Sequence, residues 1–132
     1  SYNTALGSGA LLSQTSASSN TAVGYQAGYL NTTGTENVAV GDNAFRTNTT
    51  GSYNTAVGKN AIYSNTTGVR NTGVGQSALV SNSTGSYNVA VGNGSLKSST
   101  TSTKNVGLGH WAGNKLTTGS GDFTNAVKEV GT

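Results

Sequence analysis

Asn54-Thr55-Ala56-Val57-Gly58 returns along the chain at one fixed spacing, and that spacing decides the fold. Copies of the pentad begin at Asn3, Asn20, Asn37, Asn54, Asn71, Asn88 and Asn105, each 17 residues after the last, with no insertion or deletion. A period held this strictly gives every repeat the same length of structure, which is the mark of a stacked solenoid. The spacing predicts an all-β parallel β-solenoid, or β-roll, with one coil per 17-residue repeat. Residues 1 to 121 form the seven-repeat solenoid on this reading, and residues 122 to 132 a partial repeat, a cap or the lead into a further domain. The chain opens in mid-repeat, so it reads as a piece of something longer.

Within one repeat the pentad is a short strand. Thr or Val at its second place and Val or Leu at its fourth share one face, and Ala or Gly at its third takes the other. Which face looks into the solenoid stays open at this level. A second extended segment is expected over Ala61 to Tyr63, and a turn over Asn65-Thr66-Thr67-Gly68, where glycine supplies a positive φ. Helices are not expected, because β-branched residues and glycines dominate and no 3.6-residue period is present.

One coil per repeat stacks like residues over like. The pentad asparagines Asn3, Asn20, Asn37, Asn54, Asn71, Asn88 and Asn105 form a row whose amides are placed to hydrogen-bond from coil to coil. Val23, Val40, Val57, Val74 and Val91, with Leu6 and Leu108 at the ends, form the most apolar row. Ala10, Ala27, Ala44, Ala61, Ala78 and Ala112 form a tight row that only Ser95 interrupts. Tyr53, Arg70, Tyr87 and Lys104 fall in one column, as do Tyr29, Arg46 and Tyr63, which sets cations between aromatic rings. Asp42 and Lys59 share another column.

Composition narrows the function. The 132 residues are 33% hydrophobic and 8% charged, with neither Cys nor Pro. No disulfide framework is available, and every backbone N–H can join a ladder. The net charge of +3 is spread over the repeats, without the cluster that would follow a phosphate backbone, so nucleic acid is not an expected partner. No apolar run approaches the length of a membrane helix, so no membrane insertion is expected. The groups available for catalysis are His110, Asp42, Asp122, Glu36 and Glu129, and no nucleophile, base and orienting acid assemble from them. The chain therefore reads as non-enzymatic, with no cofactor and no metal site.

Thr15, Thr32, Thr49, Thr66, Thr100 and Thr117, with Ser83, stack beside a second row, Thr33, Thr50, Thr67, Thr84, Thr101 and Thr118. Regular hydroxyl and methyl arrays of this kind resemble ice-binding surfaces, the alternative function for this chain. The two rows are adjacent in sequence and would point to opposite sides of an extended strand. Asn31, Asn48, Asn65 and Asn82 each stand in an Asn-X-Ser/Thr acceptor sequence, but the pattern reads first as turn residues repeated by duplication.

Gly51-Ser52-Tyr53-Asn54-Thr55-Ala56-Val57-Gly58 and Ala61-Ile62-Tyr63-Ser64-Asn65-Thr66-Thr67-Gly68 resemble the repeats of phage tail-fibre-type proteins and related bacterial surface proteins. The pentad is also similar to the head repeat of trimeric autotransporter adhesins of the YadA type, a left-handed parallel β-roll. The repeat here is longer than the adhesin one. The resemblance implies a fibre segment outside the cell, on a virion or cell surface, supporting attachment to a host-surface glycan or protein. Tyr25, Tyr29, Arg46, Tyr63 and Trp111, read as the most exposed variable positions, are the candidate contacts. It also implies a homotrimer, in keeping with coils so poor in apolar groups that a second face gains by burial against neighbouring chains.

Overall fold

The computed structural model describes residues 2 to 120; the segment 122 to 132, with its expected partial repeat or cap, lies outside the described residues. Seven strands follow one another in a single parallel sheet: β1 (Thr4–Leu6), β2 (Thr21–Val23), β3 (Val38–Val40), β4 (Thr55–Val57), β5 (Thr72–Val74), β6 (Val89–Val91) and β7 (Val106–Leu108). Each strand pairs with the next in the register of the repeat, so Thr55 lies between Val38 and Thr72, and Val57 between Val40 and Val74. The chain is a β-solenoid with one coil per repeat.

Glycine ends each strand for a steric reason. Gly58 has φ near 128°, a backbone few side chains tolerate, and a Cβ there would stand 2.7 Å from the carbonyl carbon of Gly75 in the next coil. The following segment corrects the expectation of a second extended stretch. Lys59 to Ser64 is a run of turns, with Asn60 at φ 57° and Ile62 at φ 47°. Left-handed residues reorient successive amides along the stack. Asn60 N donates to Asp42 O in the coil before (3.0 Å) and Ile62 N to Ala78 O in the coil after (2.8 Å), so inter-coil bonding continues where no strand exists. The backbone groups of a slender coil are satisfied in this way, as burial demands.

A second correction concerns Gly68. Its φ is not positive; glycine is required there because a Cβ would meet Gly85 O at 2.3 Å and Asn65 Oδ1 at 2.4 Å. Close approach, not backbone handedness, fixes that position.

The third pentad residue points inward. Ala22, Ala56 and Ala90 are fully buried and Ala39 nearly so, whereas the Val and Leu row is half-buried or exposed. Leu11, Phe45, Ile62, Leu79 and Leu96 form one further inner column, all buried and all with φ between 47° and 54°. Gly28 and Gly113 hold the same place in their coils with φ of 60° and 63°. The core is therefore two rows made mostly of alanine and, in the five coils that lack glycine at this place, one large apolar side chain. Two rows of asparagine close it.

Candidate functional site

Inside the coil the buried asparagines are joined into hydrogen-bonded ladders, with one ladder oxygen, Asn82 Oδ1, left without a partner among the described residues. The backbone N–H of Asn71 donates to Asn54 Oδ1 at 2.9 Å, and the same link joins Asn20 to Asn3, Asn37 to Asn20, Asn54 to Asn37, Asn88 to Asn71 and Asn105 to Asn88. A second ladder runs beside it. Asn65 Nδ2 donates to Asn48 Oδ1 (2.9 Å) and Asn82 Nδ2 to Asn65 Oδ1 (3.0 Å). Both ladders converge on one carbonyl per coil, since Gly68 O accepts from Asn54 Nδ2 at 2.9 Å and from Asn65 Nδ2 at 3.0 Å. Asn31, Asn48, Asn65 and Asn82 are buried in this ladder, where a glycan has no access. The sequence reading treated them as turn residues; their fixed distance of three from the glycine column is the signal for the ladder.

The substitutions in the rows are paired. Ser95, which interrupts the alanines, donates its hydroxyl to Gly107 O at 2.8 Å, and Gly107 replaces the pentad alanine because a Cβ there would stand 2.6 Å from Ser95 Oγ. Ser99 and Ser102 replace the Asn and Gly of their coil together and hydrogen-bond to each other.

Outside the coil two features are available to a partner. The first is the outer face of the sheet, made by the second and fourth pentad residues: four threonines and ten aliphatic side chains over seven strands, without a charge. Val38 is 36% exposed and Val91 40%. The fourteen side chains form one uncharged, largely aliphatic strip along the sheet.

The second is the pair of Tyr–Arg columns. Arg46 lies over Tyr29 (5.3 Å) and Tyr63 (5.8 Å), donates from Nη1 to Tyr63 Oη at 3.1 Å and from Nε to Gln26 Oε1 at 2.8 Å. Arg70 lies over Tyr53 (4.9 Å) and Tyr87 (5.7 Å), with Nη1 3.3 Å from Tyr87 Oη. These stacks tie coils together as well as face solvent. The candidate contacts thus separate. Tyr25 and Trp111 are exposed, but Tyr29, Arg46 and Tyr63 are half-buried in their sandwich and are not among the most exposed positions, because each covers its neighbour. Trp111 carries Lys97 Nζ at 4.8 Å from its ring and packs edge-on against His110. Tyr53 and Tyr87, absent from the candidate contacts, are nearly half exposed.

Asp42 pairs with Lys59 at 3.6 Å on an exposed surface, a contact of small energetic weight. Asp122 and Glu129 lie outside the described residues. Among the described residues no three metal-ligating side chains gather, and no helix is long and apolar enough to cross a membrane. The first Thr row is engaged internally: Thr32, Thr49, Thr66 and Thr100 donate their hydroxyls to backbone carbonyls one coil on, at 2.9 to 3.1 Å. The second row, from Thr33 to Thr118, is exposed. No protein-family model, curated protein or solved structure matches the chain.

Proposed function

We propose that the chain is a non-enzymatic structural segment of a fibre, in the manner of a phage tail fibre or a bacterial surface adhesin. It works outside the cell, on a virion or cell surface, and supports attachment. The observation that carries this reading is the uncharged outer sheet face, continuous over all seven strands. A surface with the same rise along its whole length suits a partner with the same repeat, namely further copies of the chain, and burying it supplies the apolar contact that the thin core lacks. The resemblance of the repeats to trimeric fibre proteins selects three copies over two. Internal hydrogen bonding of the first Thr row leaves the alternative, ice binding, with one open row, Thr33 to Thr118, instead of a two-row array, which supports the fibre reading over it. Light scattering on the purified chain tests it. A three-chain mass at micromolar concentration is the expected result, and a folded monomer overturns it.

A further inference from the structure

Every charged side chain from Asn43 to Ser120 is basic. On one outer corner of the solenoid two of these charges stand in a column with aromatic rings, Tyr53, Arg70, Tyr87 and Lys104, each 17 residues from the next; exposed Glu36 holds the same column one coil before Tyr53 and bounds the basic line at that end. All four are exposed, and each has left-handed backbone, with φ between 54° and 62°. Their common conformation sets the four side chains in one line along the axis.

The rings are held before any ligand arrives. Arg70 sits between Tyr53 and Tyr87 and donates to Tyr87 Oη, which lowers the entropy lost when a partner docks. Among the described residues no carboxylate pairs with Arg70 or Lys104. Most of the Arg70 guanidinium donors are left for an acceptor from outside, and guanidinium matches carboxylate or sulfate by two-point hydrogen bonding. Tyrosine offers an apolar ring with a polar tip, the mixed character that a sugar ring also has. Like groups recur every two coils, at about 9.6 Å from the spacing of paired strands, on the scale of a disaccharide. Exposed Thr67 and Thr84 stand three residues before Arg70 and Tyr87, adding neutral hydroxyls beside the line.

We propose that this corner binds an anionic polysaccharide lengthwise, with sugar rings against Tyr53 and Tyr87 and acidic groups on Arg70 and Lys104. The proposal gives the attachment reading a ligand class and rests on it only for the biological setting. Binding and oligomeric mass are measured separately, so failure of one is distinguishable from failure of the other.

Equilibrium binding of the whole chain to polygalacturonate and to heparin, with dextran and a single-stranded oligonucleotide as controls, tests it. Wild type is expected to bind the two acidic polysaccharides and not dextran, more weakly as salt rises. Arg70→Gln and Tyr87→Ala are each expected to lower affinity about tenfold, and Arg46→Gln, the same charge change in the other sandwich, by less than about twofold. Lys104→Gln, outside the Tyr–Arg–Tyr sandwich, keeps the test open if the stacked variants misfold, and a loss of about threefold is expected from it. Absence of binding to both polysaccharides overturns the proposal, as does equal loss from Arg46→Gln and Arg70→Gln. Tight oligonucleotide binding that is indifferent to Tyr87→Ala also overturns it, in favour of a generic polyanion surface.

Discussion

Cγ1 of Ile62 lies 2.6 Å from the point where a Cβ on Gly73 would stand. The two residues belong to successive coils, and the glycine replaces the pentad alanine at the place where a β-branched side chain fills the core. In the next coils Leu79 and Ala90 are both fully buried at the equivalent places. In these coils the core side chains are thus matched, Ile62 with Gly73 and Leu79 with Ala90; Gly107 opposite Leu96 answers to Ser95 as well.

Gly73→Ala alone is therefore expected to destabilise the protein by about 1 to 3 kcal/mol through overpacking. Adding Ile62→Leu recreates the Leu79 and Ala90 combination and should recover most of the loss, because contacting residues couple. Urea midpoints at one fixed protein concentration, with unchanged slope, measure the cycle. Additive losses in the double variant would show that the two positions do not pack as a pair.

Asn82 Oδ1 is buried and has no hydrogen-bond partner among the described residues. The cause is the next rung, where Ser99 stands in place of the asparagine whose amide would reach it. Ser102 prevents that asparagine, since the corresponding Gly85 has no room for a Cβ beside Asn82 Oδ1, at 2.4 Å. Ser99→Asn with Ser102→Gly should restore the rung and stabilise by about 1 to 2 kcal/mol, the scale of satisfying a buried acceptor. Ser99→Asn by itself should destabilise. A thermal midpoint that falls in the double variant would count against the ladder as a source of stability.

Much of this was legible from the period. The strand positions, the stacking of like on like and the Tyr–Arg columns follow from a 17-residue count. The left-handed positions of Phe45, Ile62 and Leu79 were not, because nothing in the local preference of a large apolar residue points to positive φ. Their signal was columnar: glycine alternates with Leu, Phe and Ile at one place of the repeat, which marks a left-handed position whose side chain, when present, must go inward. The inward turn of Ala56 was equally hidden, since both faces of the pentad carry apolar residues. Only the small room inside the coil decides it.

Asn65→Asp tests the second ladder through pH. Asn65 Nδ2 donates to Asn48 Oδ1 and Gly68 O, so a carboxylate in its place would set negative charge against two acceptors in a buried position. Burial and those acceptors raise the folded pKa of the introduced Asp above its unfolded value of about 3.9. The loss relative to wild type should then be smallest below that pH, where the acid is neutral in both states. It should grow as pH rises and level off above the folded pKa. Unfolding of the variant and of wild type between about pH 3 and 7 gives the curve. A difference independent of pH would mean that the carboxylate reaches solvent.

Ala56→Asp and Val57→Asp separate the two faces of one strand. Ala56 is fully buried within its own coil, against backbone and side chains that offer a carboxylate no cation, so Ala56→Asp should cost several kcal/mol and unfold the surrounding coils. Val57 points outward and is only half-buried in the single chain. A charge there is tolerated by an isolated solenoid and opposed by an interface with further copies. Val57→Asp is therefore expected to keep the strand signal in circular dichroism while lowering the mass in solution to that of one chain, and Val40→Asp should act in the same way. Circular dichroism and light scattering on the same samples decide between the outcomes. An unchanged mass for Val57→Asp and Val40→Asp would remove the outer sheet face from the interface, whatever the stoichiometry.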